Sequence, residues 1–116
     1  MANYRKSLKN PRSQAFHAQH GRCYYCNQPM WTKTPLELVS RFRINQSQAK
    51  LLQCTGEHLV SHSEGGASGN GNIVAACRYC NQNRHRRKKV PTPENYRKYV
   101  RQRLSKSKWH GILLVS

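Results

Sequence analysis

The 116-residue chain has only four acidic residues and contains no aspartate. Against these acids stand 21 lysines and arginines, so the formal net charge at pH 7 is +17 and the isoelectric point is about 10.4. A field this strong attracts polyanions and raises the rate of association with them. A cationic surface that serves only solubility is the weaker interpretation for so short a chain. Nucleic acid is therefore the expected partner, with an anionic membrane surface as the second alternative.

Long hydrophobic runs are also missing. No apolar stretch approaches the roughly 18–20 residues that span a bilayer, and no long basic helix with a broad apolar face stands out. The opening residues, MANYRKSLKN, are positively charged but are not followed by an apolar segment, so no secretory signal is expected. These absences predict no membrane partner and a cytoplasmic protein.

Hydrophobic residues make up only 36% of the sequence, which predicts a thin core that needs a further covalent or metal brace. Four of the five cysteines form two C-x-x-C pairs, CYYC at Cys23 and Cys26 and CRYC at Cys77 and Cys80. Without an export signal, such pairs are typical of one structural Zn²⁺ bound by four thiolates. Two independent redox dithiols are the less favoured alternative. Cys54, the fifth cysteine, is expected to be a buried strand thiol.

The chain length fits one small α+β domain with extensions. We expect a basic N-terminal segment with a short helix (1–21), a zinc-braced core (22–90), and a C-terminal helix with an apolar tail packed on that core (91–116). Within the core the patterns predict a helix over 35–42, a polar connector over 43–50, strands at LLQCT and IVAAC separated by a glycine-rich loop, and a helix from Tyr79 to the next proline. The apolar stretch from Trp109 to Val115 is expected to be either an added strand or a C-terminal lock on the core.

Five polar residues lie at fixed spacings between the cysteine pairs and directly after the second pair. His58 follows Glu57 in the stretch GEHLVSHSEGG, Asn72 lies 14 residues further on, and Asn81 and His85 follow the last cysteine. Asn81 and His85 are four residues apart, so they share one face if this segment is helical. The strand end, the loop and the helix can therefore bring these side chains to one point.

Together, CYYC, GEHLVSHSEGG and GNIVAACRYCNQNRH resemble the four-cysteine branch of the HNH nucleases over roughly residues 22–85. The resemblance implies a zinc-braced ββα-metal finger and a metal-dependent endonuclease that hydrolyses DNA to 3′-hydroxyl and 5′-phosphate ends. Two positions depart from the commoner family pattern. Glu57 stands where Asp is more frequent, and Asn81 occupies the third motif position, which is His in the family's name.

The resemblance also implies a role for each residue. His58 is the general base, Asn72 braces the loop that carries it, and Glu57, Asn81 and His85 hold one catalytic divalent cation. Mg²⁺ or Mn²⁺ suits such an oxygen-rich site, and His85 extends the range to Ni²⁺, Co²⁺ or Zn²⁺. Taken singly, each residue has a simpler interpretation: Glu57, for instance, is equally suited to an ordinary salt bridge. His62 is not a family position and is expected to be a bystander.

A basic run continues from the last motif helix and is expected to contact the phosphates of double-stranded DNA. These candidate contacts are Arg78, Arg84, Arg86, Arg87, Lys88 and Lys89. A solvated surface is the alternative for the run. For the whole chain, the alternatives are a non-catalytic zinc-ribbon module that binds DNA or RNA, and a nuclease acting on RNA. A homodimer is one route to cutting both strands of a duplex.

Overall fold

The structure, a computed structural model, describes residues 9–60 and 71–114. The elements in chain order are α1 (Lys9–Ala18), α2 (Leu36–Val39), α3 (Gln46–Lys50), β1 (Cys54–His58), β2 (Ile73–Cys77), α4 (Arg78–His85) and α5 (Pro93–Ser105). The predicted small α+β class with flanking helices is confirmed. Residues 61–70, which include His62 and most of the glycine-rich loop, lie outside the described residues, as does Val115.

The centre of the fold is an antiparallel hairpin of β1 and β2, which pair from Cys54 with Cys77 to His58 with Ile73. β2 begins with the β-branched pair Ile73 and Val74, which favours a strand. Helix α4 starts directly after β2, because the Cys77 Sγ accepts a hydrogen bond from the backbone N–H of Cys80 and caps the first turn. The resulting strand–strand–helix unit places the end of β1 beside the last turn of α4.

Helix α1 holds the outer edge of β2. The Gln19 side chain, just beyond α1, donates to the carbonyl of Ala75 at 2.8 Å and accepts from the Ala75 N–H at 2.9 Å. Gly21 then turns the chain into the first cysteine pair with φ of 75°, a conformation that a side chain would strain. A Cβ at this position would also lie 3.2 Å from the Phe16 ring.

The C-terminal segment packs against the hairpin unit. Tyr96, Val100 and Leu104 form the buried face of α5. Beyond α5, the Trp109 indole donates to the Cys80 Sγ at 3.3 Å and Ile112 is buried. The added strand that was one alternative for this tail does not form over its described residues 109–114.

Several element bounds differ from the sequence predictions. The helix expected over 35–42 is a single turn, α2, and α4 ends at His85 rather than continuing to Pro91. The first strand lies at Cys54–His58, three residues later than LLQCT. The predicted connector contains α3, whose capping box joins the side chains and backbones of Asn45 and Gln48. No described helix is long and apolar enough to cross a membrane.

Candidate functional site

Four cysteine sulfurs meet where the first C-x-x-C turn (Cys23 to Cys26), called here the first knuckle, packs against the start of α4. The Sγ atoms of Cys23, Cys26, Cys77 and Cys80 all lie within 4.8 Å of one another, and all four residues are buried. The Cys26 and Cys77 sulfurs are 3.8 Å apart. This agrees with the edge of about 3.8 Å expected for a tetrahedron with Zn–S bonds of about 2.3 Å. The donor set and its spacing therefore fit one Zn²⁺ ion.

The surroundings of the sulfurs also suit thiolates. The Cys23 Sγ accepts backbone N–H groups from Tyr25 at 3.3 Å and Cys77 at 3.2 Å. Burial raises the pKa of the Cys77 and Cys80 thiols well above the usual value. At Cys23, burial is outweighed by hydrogen bonds from the neighbouring thiols, which bring its pKa well below the usual value. These four buried sulfurs suit a cation that displaces the thiol protons.

Glu57 lies near the end of β1 with its carboxylate fully enclosed. Its side chain is 1% exposed. Oε2 accepts hydrogen bonds from the Tyr25 hydroxyl and from Arg84 Nη1, both at 2.9 Å, and Oε1 lies 2.8 Å from His85 Nε2. A buried carboxylate without such partners would be strongly unfavourable. Glu57 is therefore the centre of a polar cluster that joins the first knuckle, β1 and α4.

Arg84 occupies a position that the sequence did not predict. Its side chain is only 4% exposed, and its guanidinium donates to Glu57 and to three backbone carbonyls. These carbonyls belong to His58 at 3.1 Å, Leu59 at 3.3 Å and Pro91 at 2.9–3.0 Å. The prediction that Arg84 contacts nucleic acid needs correction, because the guanidinium is turned inward and engaged by these acceptors. It compensates the Glu57 charge and ties the end of β1 to the segment after α4.

His85 and Asn81 lie one turn apart on α4, as their spacing predicted. His85 is half-exposed, with 38% of its side chain accessible, although its Nε2 faces the buried Glu57. The Asn81 amide nitrogen donates to Thr55 Oγ1 at 3.0 Å and Gly56 O at 3.4 Å, which leaves the amide oxygen as the atom suited to a cation. The 2.8 Å between Glu57 Oε1 and His85 Nε2 is close to the separation of about 3 Å between neighbouring ligands of an octahedral ion with bonds of about 2.1 Å. The Glu57–His85 pair therefore has a spacing that fits a small divalent cation.

His58 is the last residue of β1 and is partly exposed. The backbone that follows it is held by Asn72, which comes just before β2. The Asn72 side chain accepts from the Val60 N–H at 2.9 Å and donates to the Val60 carbonyl at 3.0 Å. The Leu59 N–H donates to the Asn72 carbonyl at 2.9 Å. Asn72 thus closes the base of the loop next to His58.

The remaining basic candidates are at the surface. Exposed side chains belong to Arg78, Arg86, Arg87, Lys88 and Lys89. Arg87 lies over the ring of Tyr99 on α5, with 4.5 Å between its guanidinium carbon and the ring centre. This cation–π contact links the basic run to the exposed face of α5.

A cleft opens directly beside Arg84 and His85, the two partners of Glu57 on α4. Its volume is about 200 Å³, and it is lined by Leu59, Val60, Arg84, His85, Val90, Pro91, Thr92 and Pro93. The His85 ring therefore lies between the buried Glu57 and an opening to solvent.

Sequence reasoning missed two members of the cluster, Tyr25 and the inward-facing Arg84. Tyr25 could not be distinguished from Tyr24 within CYYC. A signal for Arg84 was available in principle, because a lone acid on a core strand of so basic a chain requires a cation within reach. The sequence alone could not show which of the neighbouring arginines supplies it.

Comparison with known proteins yields one family match. The model of the HNH endonuclease family matches residues 41–87, a stretch that contains β1, β2 and α4. No curated protein and no solved structure matches the chain. The matched stretch holds Glu57, His58, Asn72, Asn81 and His85, as well as the second cysteine pair. Residues 41–87 are therefore similar to the HNH endonuclease family, and the four-cysteine cluster fits the zinc-braced branch of that family.

Proposed function

We propose that this protein is a divalent-metal-dependent endonuclease that hydrolyses DNA phosphodiester bonds and leaves 3′-hydroxyl and 5′-phosphate ends. One observation carries the proposal. Within the HNH-matched stretch, Glu57 Oε1 and His85 Nε2 lie 2.8 Å apart at the end of the strand that carries His58. The site then combines a metal-binding pair with a neighbouring imidazole.

His58 is the proposed general base that takes the proton from the attacking water. A neutral imidazole with an ordinary pKa of about 6.5 suits this role near neutral pH. Its backbone is held from two directions, because Arg84 donates to its carbonyl and the Asn72 side chain binds the backbone of Val60, two residues further on. These contacts hold the backbone from which the imidazole projects.

Glu57 Oε1, His85 Nε2 and the Asn81 amide oxygen are the proposed ligands of the catalytic cation. Mg²⁺ or Mn²⁺ is the expected ion, and the imidazole also admits Ni²⁺, Co²⁺ or Zn²⁺. A cation bound at this position supplies positive charge to the scissile phosphate and to the leaving oxygen. The four cysteines hold a separate Zn²⁺ whose role is structural.

The DNA backbone is proposed to follow the exposed basic run after α4. Arg86, Arg87, Lys88 and Lys89 lie within a few residues of His85, and Arg78 is exposed at the start of the same helix. The net charge of +17 supplies the long-range attraction for a polyanion. Contacts from this basic run to phosphate alone would carry no information on base sequence.

The test is cleavage of supercoiled plasmid by zinc-loaded protein in a panel of Mg²⁺, Mn²⁺, Co²⁺, Ni²⁺ and Zn²⁺, followed by mapping of the product ends. We expect nicked or linear DNA with at least one of these ions, none with a chelator that leaves the structural zinc in place, and ligatable 5′-phosphate ends. Parallel reactions with single-stranded RNA separate a DNase from an RNase. The proposal is contradicted if folded, zinc-loaded protein fails to cleave DNA with every ion of the panel.

A second candidate function is a non-catalytic, zinc-braced module that binds nucleic acid. The observation that favours it is the Arg84–Glu57 ion pair, since a carboxylate with a buried counter-ion can serve the fold alone. The two functions differ in one measurable property. That property is Mn²⁺-dependent cleavage, which a binding module never shows. Such a module binds DNA equally well when Glu57 is replaced by Gln.

A further inference from the structure

The first zinc knuckle reaches the candidate catalytic carboxylate through one side chain. Tyr25 lies between the two ligands of CYYC, and its hydroxyl donates to Glu57 Oε2 at 2.9 Å across 32 positions of sequence. Few contacts of the described structure join the zinc brace so directly to the proposed metal site. The contact can therefore contribute to the site as well as to packing.

Tyr25 is held rigidly. Its backbone N–H donates to the Cys23 Sγ at 3.3 Å, and its carbonyl accepts from Arg101 Nε at 2.6 Å. Its ring packs edge-on against Tyr96, with 4.8 Å between the ring centres.

The two oxygens of Glu57 are used differently. A carboxylate has about four acceptor positions, two on each oxygen. Oε2 already accepts from the Tyr25 hydroxyl and Arg84 Nη1, whereas among the described residues Oε1 has the single partner His85. The oxygen with remaining capacity is therefore the one that faces the other proposed ligand.

We propose that Tyr25 is a positioning residue that holds Oε2 of Glu57 and thereby presents Oε1 as the single carboxylate atom for the divalent cation. This inference rests on the proposed function, because it takes Glu57 as a metal ligand. It also gives the first knuckle a second role, since the knuckle then orients the catalytic carboxylate as well as binding zinc. Hydrogen-bond partners of metal ligands commonly fix ligand orientation in this way.

The test measures Mn²⁺ binding directly, by electron paramagnetic resonance of the free ion, on zinc-loaded protein without DNA. Tyr25→Phe keeps the ring and removes only the hydroxyl. We expect its affinity for Mn²⁺ to fall about 10–100-fold, the usual effect of losing such a partner. Tyr24→Phe is the matched control, since Tyr24 lies in the same knuckle but packs on the Arg97 guanidinium at 4.0 Å and is not among the described partners of Glu57. Its affinity should equal that of the wild type.

The outcomes separate the inference from its premise. Wild-type protein that binds Mn²⁺ no better than Glu57→Gln contradicts the proposed metal site itself. Wild-type binding that Tyr25→Phe matches or exceeds overturns only the positioning role. A Tyr25→Phe variant that loses zinc or cooperative unfolding assigns the hydroxyl to folding and also overturns it. Where cleavage is measured as well, the half-saturating Mn²⁺ concentration should rise while the rate at saturating Mn²⁺ changes little.

Discussion

The ion pair between Arg84 and Glu57 gives the sharpest test of the structure. Both side chains are almost fully enclosed, at 4% and 1% exposure, so solvent screens the interaction little. Replacing Arg84 with Met keeps an unbranched apolar stem but removes the guanidinium. The Glu57 charge is then left without its counter-ion, and the carbonyls of His58 and Leu59 each lose a donor.

Breaking a buried pair by removing one partner costs about 3–5 kcal/mol. The free energy of unfolding of a small domain is about 5–15 kcal/mol, so the loss is a large fraction of the total. In a double-mutant cycle, Glu57→Gln combined with Arg84→Met should be less destabilising than the sum of the single changes by about 0.5–3 kcal/mol. The non-additivity reports the contact itself.

The assay is urea unfolding, monitored by tryptophan fluorescence. It is run at one buffered concentration of free Zn²⁺, because bound zinc adds to the apparent stability. Arg86→Met is the matched control, since Arg86 is exposed two positions further along the same segment. Its effect should stay within about 0.5 kcal/mol, as for surface substitutions in general. An Arg84→Met variant as stable as Arg86→Met would refute the buried pair.

Three further predictions concern the brace, the tail and the DNA contacts. Cys77→Ser should lose zinc and unfold, because ligation of this kind contributes about 10–16 kcal/mol; Cys54→Ala, which changes a buried thiol outside the cluster, should keep one zinc per chain by atomic absorption. Burial lowers the pKa of His110 to about 4, so the unfolded state binds its proton first as pH falls below about 6.5. Stability present above that pH should therefore decline towards pH 4, and thermal melts of His110→Gln should show a smaller decline than wild type; equal declines would contradict this assignment. Replacing Lys88 and Lys89 with Gln should make the negative slope of log K against log salt less steep by about 1.8 in DNA-binding titrations. An unchanged slope would show that neither lysine contacts DNA.

The sequence predicted the parts of the molecule that depend on spacing. Two C-x-x-C pairs can share one tetrahedral ion only if they meet, and this constraint alone brings the knuckle before β1 to the start of α4. The four-residue separation of Asn81 and His85 placed both on one helix face. The family match over 41–87 then agrees with the HNH assignment drawn from these motifs.

What the sequence could not supply depends on burial. Arg84 lies in a run of basic residues, and the sequence does not distinguish which of them pairs with Glu57. In the folded chain it is Arg84. Tyr25 and Tyr24 differ in the same way, since the direction of each ring is set by the knuckle and by packing on α5. The short helix α3 was missed because its propensity is weak and its capping box is an amide pair rather than the commoner hydroxyl and acid.

Whether His58 is the base of a metal-dependent nuclease is decided by the single-turnover rate of plasmid nicking in His58→Ala at saturating Mn²⁺. We expect a fall of about 10²–10⁴-fold, the usual contribution of a positioned base, with zinc content and Mn²⁺ affinity unchanged. His17→Ala, which changes an exposed histidine on α1, should retain the wild-type rate. A His58→Ala variant that nicks DNA as fast as His17→Ala would show that His58 is not the base.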